Sequence, residues 1–388
     1  MYRIGIEEIN AVKEVIEKKD FFKVNGSCKA VWGFEEDMKA YFGASHAAFT
    51  TSGTGALVSA LVALGIGPGD EVLVPAYTYI ATAMAVIAVG AIPVVTEVDA
   101  TLSIDPDDIE RKITPSVRCI IPVHMNGRPC NMGRIKEIAD KHGIYVLEDA
   151  CQGVGSSYKG QYCGTIGDIG TFSFNFFKII SCGEGGAIIT NNQKLYERAC
   201  IYHDASAIAF FGEQMKDFSE QGFCGTEYRG NELLAAVMRC QIKKLDGIVH
   251  DLRANRQTLI DKLGGKFTFA PDNDRDGDTG NVLAFRFETV EEAKSFAEKT
   301  DSMYPINTDR HVYVNWTPLA EKRGALHPLM DPFKMPANAN LRHNYTADAC
   351  PVSLEHLAKT VCCFISPDWT DEDIQKKADC MLAACNLG

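Results

Sequence analysis

The sequence predicts an α/β protein, a mostly parallel sheet covered by helices on both faces, followed by a smaller α+β unit. Three observations predict it. Apolar runs of strand length recur in "GDEVLVPA", "AIPVVTEVDA", "VRCIIPVHMNG" and "GIYVLEDA". Helical patterns such as "IATAMAVIAVG" and "NMGRIKEIADKHG" lie between them. Strands alternating with helices in this way build parallel sheets buried on both sides. Near residue 255 the pattern changes to shorter strands ("NVLAFRFET") and helices ("VEEAKSFAEKT", "DEDIQKKADCMLAAC"). A chain of 388 residues is also too long for one hydrophobic core. We therefore expect a large α/β domain over 1–254 and a small C-terminal α+β domain over 255–388.

Taken in order, "MYRIGIEEINAVKEVIEKKD" spaces its apolar residues as an amphipathic helix and does not read as a signal peptide. "HAAFTTSGTGALVSALVAL" reads as a short strand, a Ser/Thr/Gly turn and a helix. "GNELLAAVMRCQIKKLDGIVHDLRANRQTLIDKLGG" reads as one long helix leading out of the α/β unit. No apolar run reaches the roughly 18 residues of a membrane span. The formal charge of −12 opposes a nucleic-acid partner. The 14 cysteines are scattered, with no Cys-x-x-Cys pair, so neither a disulfide framework nor a zinc site is expected. Reduced thiols fit a cytoplasmic protein.

Ligands of open parallel sheets bind beyond the carboxyl ends of the strands. The polar residues there are Thr51, Ser52, Gly53 and Thr54; Tyr77, Thr78 and Tyr79; His124; and Glu148, Asp149 and Gln152. All are expected to converge on one rim. In "TSGTGAL", small residues at a strand-to-helix turn leave backbone N–H groups for a phosphate, although such a turn also simply caps a helix. In "VLEDACQ", the acid could serve as a base, pair with a protonated ring nitrogen, or cap the next helix. A metal would require more clustered carboxylates and histidines. Lys178 ends the aromatic run of Phe172, Phe174, Phe176 and Phe177. Burial among apolar side chains disfavours an ammonium and predicts a nucleophilic amine; the plain alternative is an edge lysine snorkelling to water. A phosphate cradle, a strand-end aspartate and a nearby lysine are together the three handles of pyridoxal phosphate.

The stretches "SGTGAL", "PAYTYIATAMAV", "GAIPVVTEVD", "EDACQGVGSSYKG", "SFNFFK" and "GEGGAIIT" resemble, in this order, the DegT/DnrJ/StrS family of sugar aminotransferases. The resemblance implies a fold-type I, pyridoxal-phosphate-dependent enzyme and a homodimer with a shared site. It implies that Lys178 is the Schiff-base lysine and moves the substrate proton. Asp149 would hold the pyridine nitrogen, Gln152 the ring's phenolic oxygen, and Tyr79 the ring face. Gly53 and Thr54 would give backbone N–H groups to the phosphate, and Ser173 its hydroxyl. One departure is "GTEYRGNE", which has Glu227 where the family usually shows an asparagine reaching the partner's phosphate. A carboxylate there repels a phosphate, so either Asn231 or Arg229 approaches in its place or the contact is lost.

Lysine at 178 favours amination over the dehydration run by members with histidine there. The implied donor is glutamate. "HVYVNWTPLAEKRGALHPLMDPFKMPANANLR" resembles the subgroup that forms 8-amino-3,8-dideoxy-manno-octulosonate from the 8-oxo acid sugar for lipopolysaccharide. Arg229, His311, Trp316, Lys322, Arg323, His327 and His203 are candidates for its pocket by composition alone. A nucleotide-linked keto-sugar or inosose aminotransferase is the alternative. A non-catalytic regulator on the same fold is the third reading, against which stand the acidic charge and the lack of a helix-turn-helix appendage.

Overall fold

The structure, a computed structural model, describes residues 3–23, 29–205 and 217–385. Seven strands form the main sheet: β1 (His46–Thr50), β2 (Glu71–Pro75), β3 (Ile92–Thr96), β4 (Val117–Ile120), β5 (Tyr145–Asp149), β8 (Ile169–Ser173) and β9 (Gly186–Thr190). Their order is β1-β9-β8-β5-β4-β2-β3. The β3, β2, β4, β5 and β8 strands pair in parallel, and β9 runs antiparallel to both of its neighbours. A two-stranded hairpin, β6 (Ser157–Tyr158) and β7 (Gln161–Tyr162), lies between β5 and β8 in the chain.

Both faces of the sheet are covered, as the continuous apolar strands require. Val72 and Val74 of β2 join one core with the helix Gly53–Ala63, while Leu73 joins another with the helix Met132–His142. Side chains alternate along a strand, so neighbouring residues enter different cores. Beyond the main sheet, β10 (Thr268–Phe269), β11 (Val282–Arg286) and β12 (Thr360–Phe364) form an antiparallel sheet in the order β10-β11-β12. It packs with the helices Val290–Thr300 and Asp371–Cys385, giving the expected α+β region.

The expected single helix after residue 230 is two. Glu232–Gln241 and Leu245–Leu263 are separated by a 3₁₀ turn at Ile242–Lys244. The turn needs neither glycine nor proline. It brings Gln241 and Lys244 together on the N-terminal segment, where both donate to the Arg3 carbonyl and to Glu8. The expected boundary at 254 falls inside the second helix, which contributes Leu252 and Leu259 to one continuous core.

Candidate active site

The carboxyl ends of β1, β5 and β8 deliver the first group of residues. Ser52 caps the helix Gly53–Ala63, its Oγ accepting the Gly55 N–H at 3.0 Å. The Gly53 and Thr54 N–H groups, first in that helix, have no intrahelical acceptor. Glycine is required at 53 by close approach: a Cβ there would sit 2.7 Å from Ser173 Cβ and 2.9 Å from Cys151 Sγ. These contacts place Gly53, Ser173 and Cys151 at one point. The Cys151 N–H in turn donates to Asp149 Oδ1 at 3.1 Å.

Asp149 ends β5, buried. Its Oδ2 accepts from the Thr82 hydroxyl at 2.8 Å, and Thr82 pairs with Thr78. Sequence reasoning missed Thr82; its position at the start of the helix after "AYTY" is the signal that could have found it. Gln152 is half-buried, and its Oε1 accepts the Asn126 N–H at 3.2 Å. Burial and the neighbouring Asp149 carboxylate push the Cys151 thiol well up, against the pull of the Lys178 ammonium. Cys151 is therefore a thiol and not a nucleophilic thiolate.

Lys178 does not sit on a strand among four aromatic rings. The strand ends at Ser173, and Lys178 lies in a turn closed by its N–H to the Asn175 carbonyl. Phe172 and Phe174 are buried, but Phe176 and Phe177 point outward, 58% and 75% exposed. The apolar enclosure expected around the amine is thus only partly formed. Among the described residues, no hydrogen bond or ion pair engages Lys178 Nζ, and the side chain is half-buried. Its charge is felt by Cys151 on one side and His311 on the other.

Tyr79 is partly exposed, its ring 5.6 Å from that of His311 and tilted by 52°. His311 arrives from far along the chain because residues 310–313 lie antiparallel to the segment after β2. Thr78 N–H donates to the His311 carbonyl, Ile80 N–H to that of Arg310, and Tyr313 N–H to that of Ala76.

Not every expected rim residue reaches the rim. Glu148 and His124 turn under it, because Glu148 is one residue from Asp149 on β5 and faces the opposite core. Glu148 accepts the Gly164, Ile166 and Gly167 N–H groups at 2.5–2.9 Å and lies 3.0 Å from His124 Nε2. His124 Nδ1 accepts the Cys130 N–H. With Cys163 these side chains bring three ligand-type atoms within 4.8 Å of one another. Their lone pairs are already committed to the protein, so the cluster is a bracket for the 164–167 loop and not a metal centre. Glu148→Ala is expected to cost about 2–4 kcal/mol, through three N–H groups left without acceptors, that of Gly164 buried and those of Ile166 and Gly167 part-buried. Denaturant unfolding measures it; a loss under about 1 kcal/mol would refute the bracket.

Tyr77 is also buried, its hydroxyl accepting from Asn126. Trp316 is buried, donating to the Arg310 carbonyl, and His327 caps a 3₁₀ turn. His203 is buried against Cys200, while Lys322 and Arg323 are exposed, Arg323 pairing with Glu321. Glu227 is held by Arg229, which pairs with it and with Asp204, each at 2.7 Å. Asn231 caps the helix Glu232–Gln241. Arg229 and Asn231 are therefore both engaged locally, and the Glu227 charge is neutralised where it stands. Of the pocket candidates named by composition alone, His311 is the one that stands beside Lys178.

Pyridoxal phosphate fits this donor set. A Cβ at Gly53 would collide with Ser173 and Cys151, and two helix-start N–H groups and the Ser173 hydroxyl stand there. The buried Asp149 carboxylate takes the Cys151 N–H, and the charge of Lys178, whose Nζ has no partner among the described residues, reaches Cys151. The DegT/DnrJ/EryC1/StrS aminotransferase family profile matches residues 3–381. The chain belongs to that family. Among its relatives, dTDP-3-amino-3,4,6-trideoxy-α-D-glucose transaminase of Streptomyces venezuelae is 40% identical over 55% of this chain and 55% of its own length. The match thus spans about half of that relative. The spore coat polysaccharide biosynthesis protein SpsC of Bacillus subtilis is 36% identical over 70% of this chain and 71% of its own. The structure of S. venezuelae DesV in complex with a ketimine intermediate superposes with a TM-score of 0.75 at 29% identity, covering 98% of this chain and 94% of that one. The DegT/DnrJ/EryC1/StrS fold, a mostly parallel α/β sheet with a C-terminal region, is the fold described above. Among the described residues, no helix is long and apolar enough to cross a membrane.

Proposed function

We propose that the chain is a pyridoxal-phosphate-dependent aminotransferase that moves an amino group from glutamate to a carbonyl of a sugar. The observation that supports this is the half-buried Lys178 amine, without a partner among the described residues, whose charge reaches Cys151, the residue that packs against Gly53 and gives its N–H to Asp149. Bound there, pyridoxal phosphate supplies a protonated ring that accepts the electrons of the substrate's Cα. Asp149 holds the proton on the ring nitrogen. Gly53, Thr54 and Ser173 bind the phosphate, Gln152 the phenolic oxygen, and Tyr79 covers the ring. Lys178 Nζ takes a proton from the donor's Cα and later returns one to the acceptor carbon.

The acceptor we propose is 8-oxo-3,8-dideoxy-manno-octulosonate, giving the 8-amino sugar for lipopolysaccharide. Beside the resemblance of the stretch after His311, the exposed Arg310 supports it. Its guanidinium has no ion pair among the described residues, and its charge is felt at His311, so it is a cation available to an acid sugar's carboxylate. The second reading, a nucleotide-linked keto-sugar or inosose acceptor, is favoured by the dTDP-sugar name of the Streptomyces relative. A homodimer is supported by the exposed Ile6, Ile9, Ile16, Phe21 and Phe22. Phe22 lies under the Arg229 guanidinium, 4.9 Å away, so this apolar face adjoins the segment of Glu227. The free thiols of the described cysteines support a cytoplasmic protein.

Single-turnover amination by the pyridoxamine-loaded protein tests the acceptor. The 8-oxo acid sugar should be aminated and nucleotide-linked keto-sugars should not; the reverse outcome overturns the acid-sugar reading. Protein that binds the cofactor but exchanges no amino group with glutamate would be a regulator.

A further inference from the structure

His311 combines three features that the roles above leave unused. Its ring is half-buried beside Tyr79 and Lys178, fixed there by the backbone pairing of residues 310–313 with 76–80. Among the described residues, neither ring nitrogen has a hydrogen-bond partner. Neither nitrogen is among the fully buried polar atoms left without a partner, so both are reachable from solvent and open to a group that arrives with a ligand.

The chemistry of that group follows from the surroundings. The groups facing the ring are Tyr79 from the segment after β2, Lys178 from the turn after β8, and Arg310 from its own segment. Burial, with the Lys178 and Arg310 cations, pushes the imidazole down to about 4. It is uncharged at neutral pH, with one nitrogen donating and the other accepting. Such a ring is a poor clamp for a carboxylate or phosphate, which the adjacent cations serve better. It matches a hydroxyl, which likewise both donates and accepts.

We propose that His311 contacts substrate directly, hydrogen-bonding a hydroxyl on the sugar near the carbon that receives the amino group. It thereby selects the polyhydroxylated acceptor over the amino-acid donor, since glutamate has no hydroxyl to offer. This rests on the sugar-aminotransferase reading and names the residue that recognises the sugar in it.

The test runs the amino-donating half-reaction on cofactor-loaded protein with two amines, glutamate and the 8-amino-3,8-dideoxy-manno-octulosonate product. GDP-perosamine is run in parallel as a nucleotide-linked amino sugar. In His311→Phe, of similar size but without polar atoms, the rate with the reactive amino sugar should fall about 30-fold more than the rate with glutamate, the range of one buried hydroxyl left unpaired. His311→Gln, which keeps a donor and an acceptor, should recover most of that ratio. A readout independent of turnover is the ring ¹⁵N signal of His311, assigned by its loss in His311→Phe. It should move on adding the amino sugar and stay in place with glutamate.

Equal loss with both amines, or an unchanged ratio, overturns the hydroxyl contact and leaves the aminotransferase reading standing. Wild-type protein that reacts with glutamate but with neither amino sugar overturns the sugar reading and this inference with it.

Discussion

Lys178→Ala is expected to slow both half-reactions by about 10⁴-fold or more, the scale on which loss of a nucleophile that is also the proton carrier acts. Cofactor-loaded protein should also lose its visible absorbance. The fold should be indifferent. Lys178 Nζ has no hydrogen bond or ion pair among the described residues, and the side chain is half-buried in a turn held by backbone bonds. Truncation therefore leaves no partner stranded, and the unfolding free energy should stay within about 0.5 kcal/mol. Lys178→Arg separates chemistry from charge. It keeps a cation beside Cys151 and His311 but has no amine able to give up its proton at neutral pH, so it should be as slow as the alanine variant. A single-turnover rate with glutamate within tenfold of wild type in either variant would remove Lys178 from the mechanism.

The parts of this site that were legible in the sequence are those fixed by local pattern. Alternating strands and helices place residues 53 and 149 just past or at strand ends, and a parallel sheet brings strand ends to one edge; Ser173 came only from the family resemblance. What local pattern fixes less well is direction over one or two residues. Glu148 and Asp149 look alike in "VLEDACQ", but pleating sends one to the bracket under the rim and the other into the pocket. Likewise Phe174 faces the core while Phe176 and Phe177 turn out, because the strand ends at Ser173 and its period of two ends with it. His311 was named by composition, but its place beside Lys178 was not legible, for a different reason. Its place depends on a long-range backbone pairing, Tyr77 with Val312, that leaves no periodic trace in either segment.

The same local geometry makes Asp149→Asn the second large effect, and one that isolates charge from shape. Both atoms of the introduced amide find partners in place. Its oxygen still accepts the Cys151 N–H, and its NH₂ group faces Thr82, whose hydroxyl stands 2.8 Å from both Asp149 Oδ2 and Thr78 Oγ1. Thr82 can reverse its role, accepting from the introduced NH₂ and donating to Thr78, because hydroxyl protons rotate to suit. Stability should therefore change by no more than about 1 kcal/mol. The chemistry should change far more. A neutral amide that offers its proton cannot hold one on the ring nitrogen, so the electron-accepting form of the cofactor is lost. About a 10³-fold fall is expected in both half-reactions, equivalent to about 4 kcal/mol in the barrier. Asp149→Ala should be as slow and less stable, since it strands the Cys151 N–H and leaves the Thr82 hydroxyl with Thr78 alone. Rapid-mixing rates with glutamate, alongside denaturant midpoints for both variants, decide the matter. If the asparagine variant turns over at near wild-type rate, the carboxylate's charge is not what the ring requires, and Asp149 is reduced to a cap for the turn that follows β5.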